Sequence, residues 1–223
     1  MIKPLAVFLA LPALALSGLA SAEIALYPSG PAEDSAFIRF INAAPAPLQV
    51  TAQEGAAPLQ LDAAKPVSAF FSVQASSPIK GTLVSGTQKL PLSLTVEPGE
   101  FATVIAVADG AKGLKQVAVR EQPDDFNGLK ASLAFFSLDG NCAEASLRPA
   151  GRTADLFKAV PQGTLQRRAI NPVSLSVQLV CANANVGSPL DLGELKAGER
   201  YSVLLVPSAN GPHLLSATDA LAH

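Results

Sequence analysis

Val96-Glu97-Pro98-Gly99-Glu100, followed by an apolar run from Phe101 to Val107, returns later in the chain as Leu195-Lys196-Ala197-Gly198-Glu199, followed by a run from Tyr201 to Val206. The copies lie about 99 residues apart, too far for a solenoid repeat and close to the size of one β-sandwich domain. The residues leading in also match: Leu90, Leu92, Leu94 and Val96 in the first copy, Leu190, Leu192 and Leu195 in the second. Further upstream, Ile38-Arg39-Phe40-Ile41-Asn42 finds a looser echo in Leu133-Ala134-Phe135-Phe136-Ser137. The pattern predicts an all-β protein of two tandem β-sandwich domains, Ig-like or jelly-roll-like, joined by a short linker. The domains are placed at 23–120 and 129–223. The linker is 121–128, a polar stretch broken by Pro123 and Gly128 that restricts the relative motion of the modules without fixing it.

Strands are expected at 37–42, 48–53, 59–61, 69–74, 79–85, 89–96, 101–108 and 115–119 in the first module. The second should carry strands at 129–138 and 142–148, a mixed stretch to 166 with a short helical turn near 155–158, and a strand at 173–181. In that last strand Val173, Leu175, Val177, Leu179 and Cys181 alternate with Ser174, Ser176 and Gln178. Period two puts Arg39 on the same side as Phe37 and Ile41, so its guanidinium must reach a sheet edge or a partner.

At the N-terminus, Lys3 precedes a nearly unbroken apolar run from Leu5 to Leu19, and Ala20-Ser21-Ala22 supplies a small-x-small cleavage site. The run is short for a membrane anchor and is interrupted by Pro12. Residues 1–22 are therefore expected to be a cleaved signal peptide, with a soluble, exported, periplasmic chain starting at Glu23. In that compartment the two cysteines, Cys142 and Cys181, are expected to pair as a disulfide. The alternative, a metal pair, lacks a nearby His or third Cys. One conflict stands: an inward set of Ala143, Ala145 and Leu147 places Cys142 in the opposite phase, which a bulge after Gly140-Asn141 would repair.

Composition excludes several roles. A net charge of −2 argues against electrostatically driven nucleic-acid binding. The lack of Trp, with only 5% aromatic residues, argues against a lectin that stacks sugars on exposed rings. The two histidines, His213 in an expected hairpin loop and His223 at the end, offer no framework base for a Ser-His-Asp triad. No nucleophile elbow, zinc helix or P-loop stands in the chain, so no catalytic residue, metal or cofactor is expected.

Candidate contacts remain. Arg148, Arg152, Lys158, Arg167 and Arg168 face only Asp155 in their stretch, which suits either an acidic partner or anionic polymer, or a solvated sheet edge. Tyr27, one of only two tyrosines, is either a contact anchor or a cover for its own core. Arg39 pairs either with a partner's carboxylate or internally with Glu33 or Asp34.

Ala25-Leu26-Tyr27, a Pro/Gly-bearing loop, then Ser35-Ala36-Phe37-Ile38-Arg39 and Asn42-Ala43 resemble the opening of the alginate O-acetylation accessory protein family, AlgF. Ile170-Asn171-Pro172-Val173-Ser174 and the later Gly198-Glu199 are similar to that family's second-domain signature, while the cysteines and the 139–166 loop depart from it. The resemblance implies a non-catalytic periplasmic adaptor in a machine that acetylates an exopolysaccharide. Its partners would be a membrane-bound O-acyltransferase and a periplasmic SGNH-type acetyltransferase, with at most weak contact to anionic polysaccharide. From the residues themselves, the main contact is expected through the Tyr27–Asn42 region or the Arg148–Arg168 face. Two rival classes are a carbohydrate-binding module, which would be retained on polymer, and a pilus-type chaperone, which needs a basic cleft between domains and a long exposed edge strand.

Overall fold

The computed structural model describes residues 34–52, 57–109, 113–122 and 127–222. The expected signal peptide and Tyr27 lie outside the described residues. So do residues 110–112 and residues 123–126 of the expected linker.

Among the described residues, fifteen strands form four sheets. The first module contains β1 (Ser35–Ala43), β2 (Leu48–Ala52), β3 (Leu59–Leu61), β4 (Phe71–Gln74), β5 (Pro78–Ser85), β6 (Gln88–Thr95), β7 (Phe101–Ala108) and β8 (Leu114–Glu121). Its sheets run β4-β1-β7-β8 and β3-β2-β5-β6. The second contains β9 (Ala131–Ser137), β10 (Ser146–Pro149), β11 (Thr164–Ile170), β12 (Val173–Cys181), β13 (Ala184–Leu195), β14 (Arg200–Val206) and β15 (His213–Thr218). Its sheets run β11-β9-β14-β15 and β10-β12-β13. Each module is a β-sandwich with its own apolar filling. Ala36, Ile38, Phe40, Leu83 and Val104 belong to the first core, and Leu133, Phe135, Leu147, Leu179 and Val203 to the second.

The repeat in the sequence is a repeat in hydrogen bonding. Gly99 N–H donates to the Ser35 carbonyl and Phe37 N–H to the Glu100 carbonyl; Gly198 N–H donates to Lys130 and Ser132 N–H to Glu199. These bonds set β1 parallel to β7 and β9 parallel to β14 in the middle of their sheets. Both turn glycines have positive φ, +73° at Gly99 and +78° at Gly198, a conformation that a Cβ disfavours.

A third apolar cluster lies between the modules. Ile41, Ile105, Val107 and Val119 from the sheet containing β1 pack against Ala134, Phe136, Leu138, Leu204 and Val206 from the sheet containing β9. The two central sheets are thus covered on both faces, which is why β7, β9 and β14 read as continuous apolar runs rather than alternating ones. The modules share a buried core, so the linker is not what restrains them.

Two expectations change. The 150–160 stretch forms no helical turn, and Thr164–Ile170 is a strand. Alternation hides β11 because Arg167 points into the module junction, where its charge is neutralised. The expected 142–148 strand starts only at Ser146. Cys142 therefore sits in the preceding turn, free of the period-two rule, and the phase conflict disappears. The Cys142–Cys181 disulfide is formed, with Cα atoms 5.0 Å apart.

Candidate functional site

At one end of the module junction, an arginine rises from β1 into the space between the central sheets. Arg39 Nε donates to Thr103 Oγ1 at 3.0 Å, Nη2 to Ser202 Oγ at 2.9 Å, and Nη1 to Asp219 Oδ1 at 2.6 Å. Thr103 and Ser202 hold equivalent places in the repeat, four residues after Gly99 and Gly198, so the two modules present matching hydroxyls to one guanidinium. The rings of Phe70 and Phe136 lie 4.5 Å and 5.3 Å from its central carbon. From β11, Arg167 pairs with both carboxylate oxygens of Glu121 and, at 3.0 Å, with Asp219 Oδ2. Arg200 adds a longer contact to Glu121 at 3.4 Å.

Burial alone would raise the Asp219 pKa. The charges of Arg39 and Arg167, with hydrogen bonds from Ser202 and Arg167, outweigh it and hold the carboxyl below its ordinary value. For Arg167 burial is likewise overcome, by Glu121 and Asp219, and the guanidinium is raised. The chain continues past Asp219 to clasp the first module: Phe70 N–H donates to the Ala220 carbonyl, and Ala222 N–H to Phe70.

The candidate contacts are therefore redistributed. Arg39 and Arg167, candidates for a partner contact, are buried and internally paired: Arg39 neutralises Asp219 of the second module, and Arg167 neutralises Glu121 of the first module and Asp219 of its own. Of the nearby acids considered from sequence, Asp34 makes no ion pair with Arg39 and Glu33 lies outside the described residues; the carboxylate that Arg39 reaches is Asp219, 180 residues away. Asn42 is buried as well. Its amide donates to the carbonyls of Ala46 and Leu61, and its carbonyl accepts from Ala44 N–H, so it shapes the exit turn of β1. Arg148 is tied to Asp155 at 3.0 Å. Arg152 and Arg168 are exposed, and Arg168 donates to the Leu156 carbonyl without a carboxylate partner.

Two concave regions flank this framework. At the junction's other end, the strand ends open into a cleft of about 540 Å³ lined by Asn42, Pro45, Pro66, Ala108, Pro207, Ser208, His213 and other small residues. His213 starts β15, and Ser208 Oγ is engaged with the Gly211 carbonyl at 2.7 Å, with no hydrogen bond to His213. Among the described residues, no three His, Cys, Asp or Glu side chains converge in a metal-binding group. The second region is a groove of about 680 Å³ on the outer module, lined by Pro149, Arg152, Leu156, Ile170, Asn171, Val173 and Leu175.

Sequence reasoning missed Thr103, Glu121, Ser202 and Asp219. The one available signal was Arg39 itself, a permanent charge in an apolar strand that required a carboxylate somewhere.

No protein-family model matches the chain, and no curated protein matches it. Solved structures do match. The C-terminal domain of AlgF from P. aeruginosa is 24% identical, covering 40% of this chain and 98% of its own, with a TM-score of 0.34. A putative cell adhesion protein from Bacteroides uniformis is 10% identical, covering 88% of this chain and 100% of its own, with a TM-score of 0.30. The CBM26-family module of Eubacterium rectale Amy13K, solved with maltoheptaose, is 9% identical, covering 83% of this chain and 97% of its own, with a TM-score of 0.24. These are all too distant to carry function to this chain.

Proposed function

We propose that this chain is a non-catalytic periplasmic adaptor of an exopolysaccharide O-acetylation machine of the alginate type. It would hold a membrane-bound O-acyltransferase and a periplasmic SGNH-type acetyltransferase in working proximity. The reading is supported by the leader-like N-terminus and by the two stretches that resemble the AlgF family. The observation that carries it is where those stretches fall. In the first, Arg39 and Asn42 are buried and build the rigid two-module body. In the second, Asn171, Pro172, Val173 and Ser174 are exposed beside the 680 Å³ groove, where a partner can reach them. A stiff body with a shaped outer groove suits an adaptor.

The test is deletion of the chain from its host, with acetyl content of the secreted polysaccharide as readout. Acetylation should be lost and restored by the wild-type chain, while the purified chain alone transfers or releases no acetyl group. Unchanged acetylation in the deletion strain would sink the proposal. So would acetyl release by the purified chain that disappears in Ser208→Ala.

A further inference from the structure

β12 has nine residues, but its neighbour β10 has only four, and their pairing runs from Ser146 opposite Val180 to Pro149 opposite Val177. The chain then turns away: Ala150 N–H still reaches the Ser176 carbonyl, Gly151 takes φ +72°, and Arg152 N–H closes back on Pro149. Among the described residues, no strand lies on that side of β12 beyond Ser176. In an antiparallel strand, N–H and C=O groups of alternate residues face the same neighbour. The register shift between Ser174 and Ser176 puts its extra residue on β13, so β12 keeps its alternation; with the Ser176 carbonyl facing β10, the N–H and C=O of Ser174 face the empty position. The outer groove occupies this space, with Leu156, Ile170 and Leu175 along it and Val173, 47% exposed, at its end.

The first module shows the same place closed. There β5 pairs antiparallel with β6 in continuous register and β12 with β13 through two register shifts, and at the matching ends Pro78 lies opposite Thr95 and Ser174 opposite Glu194. Thr95 and Glu194 each stand four residues before the turn glycine, Gly99 or Gly198, so Pro78 is the counterpart of Ser174. Proline has no N–H and blocks strand addition, a common protection of sheet edges. The second module has serine there instead. Its charges are one-sided: Arg152 lines the groove and Arg168 holds the Leu156 carbonyl at its wall, both without a carboxylate partner among the described residues. Asp191 and Glu194 belong to β13, across β12 from the open position.

We infer that the open edge of β12 is a docking slot for an extended, acidic segment of a partner protein, which adds to the sheet as a strand beside Val173–Ser176. Main-chain bonds to Ser174 supply register, the groove takes alternate apolar side chains, and Arg152 and Arg168 select carboxylates on the segment. The inference rests on the adaptor reading only in taking the occupant to be a protein.

The probe is a fluorescein-labelled eight-residue peptide of alternating Val and Glu, followed by anisotropy against the full exported chain. It should bind saturably, and Ser174→Pro, which installs the first module's residue, should weaken it by about tenfold or more at unchanged melting temperature. Arg152→Glu with Arg168→Glu should transfer preference to a matching eight-residue peptide of alternating Val and Lys, and N-methylation of alternate amides should abolish binding. If Ser174→Pro lowers the melting temperature, the double arginine variant decides alone. No saturable binding of the Val/Glu peptide, or binding indifferent to those variants, overturns the slot. A concentration-dependent dimer in sedimentation that Ser174→Pro dissolves also overturns it, because a second copy would then be the occupant. Polysaccharide acetylation in the deletion strain is scored separately, so the slot can fail while the adaptor reading stands, and the reverse.

Discussion

Arg39 of the first module and Asp219 of the second meet at 2.6 Å, with side chains only 1% and 3% exposed, across 180 residues of sequence. Neither charge belongs in an apolar interior alone. Together with Arg167 and Glu121, and with Arg200 3.4 Å from Glu121, they form an ionic set that is complete only when the modules are docked. The apolar contacts of Ile41, Ile105, Phe136 and Leu204 supply attraction at the junction, and the ionic set supplies its orientation.

Removing one partner leaves the other buried and unpaired. Asp219→Ala is expected to cost roughly 3–5 kcal/mol in urea unfolding, whereas a combined Arg39→Met, Asp219→Leu variant should recover part of that loss. Arg39→Lys should not recover it, because an ammonium cannot reach Thr103, Ser202 and Asp219 in the fork geometry used here. A loss below about 1 kcal/mol for Asp219→Ala would mean that the ionic set is incidental.

The same carboxylate predicts acid sensitivity. Its folded pKa is depressed, so the stability it contributes is present above the unfolded value, about 3.9, and is lost as pH falls from there through the lower folded value. The melting temperature should drop below about pH 4. Asp219→Asn should be less stable at neutral pH and show a flatter acid limb; parallel curves for the two proteins would refute the assignment.

Truncation separates the tail's contributions. Ending the chain after Thr218 removes Asp219 and both backbone bonds to Phe70. Ending it after Asp219 removes only the latter, an expected difference from full length of about 1–2 kcal/mol for two hydrogen bonds. The shorter truncation should unfold at markedly lower denaturant. Equal midpoints for the two truncations would contradict this.

The Cys142–Cys181 bridge closes a loop with a sequence separation of 39. On the chain-closure argument its removal by Cys142→Ala, Cys181→Ala costs about 4 kcal/mol. Non-reducing mass spectrometry of protein isolated from an oxidising compartment should find no free thiol.

Adjacent arginines should behave oppositely. Arg167→Glu places a negative charge against Glu121 and Asp219 and should lower the melting temperature by many degrees. Arg168→Glu, on the exposed side of β11, should change it little. Similar shifts for both would show that β11 is not oriented as described.

The all-β class, the two copies and most strands were legible in the residues, because turn glycines and period-two apolar patterns are local signals. Even the side of β1 that carries Arg39 followed from alternation, and the cysteine pair from having only two candidates. What alternation could not show was β11, whose inward residue is a charged arginine. Nor could the contact candidates be sorted: Arg152 and Arg168 stay outside, while Arg39 and Arg167 are consumed by the junction. A charge is tolerable inside a protein only if an opposite charge arrives from elsewhere. Asp219 arrives from the far end of the chain, when β1, β7, β9 and β14 come face to face. Sequence alone determined the modules; only the tertiary structure decided which of their charges would be spent on each other and which were left for a partner.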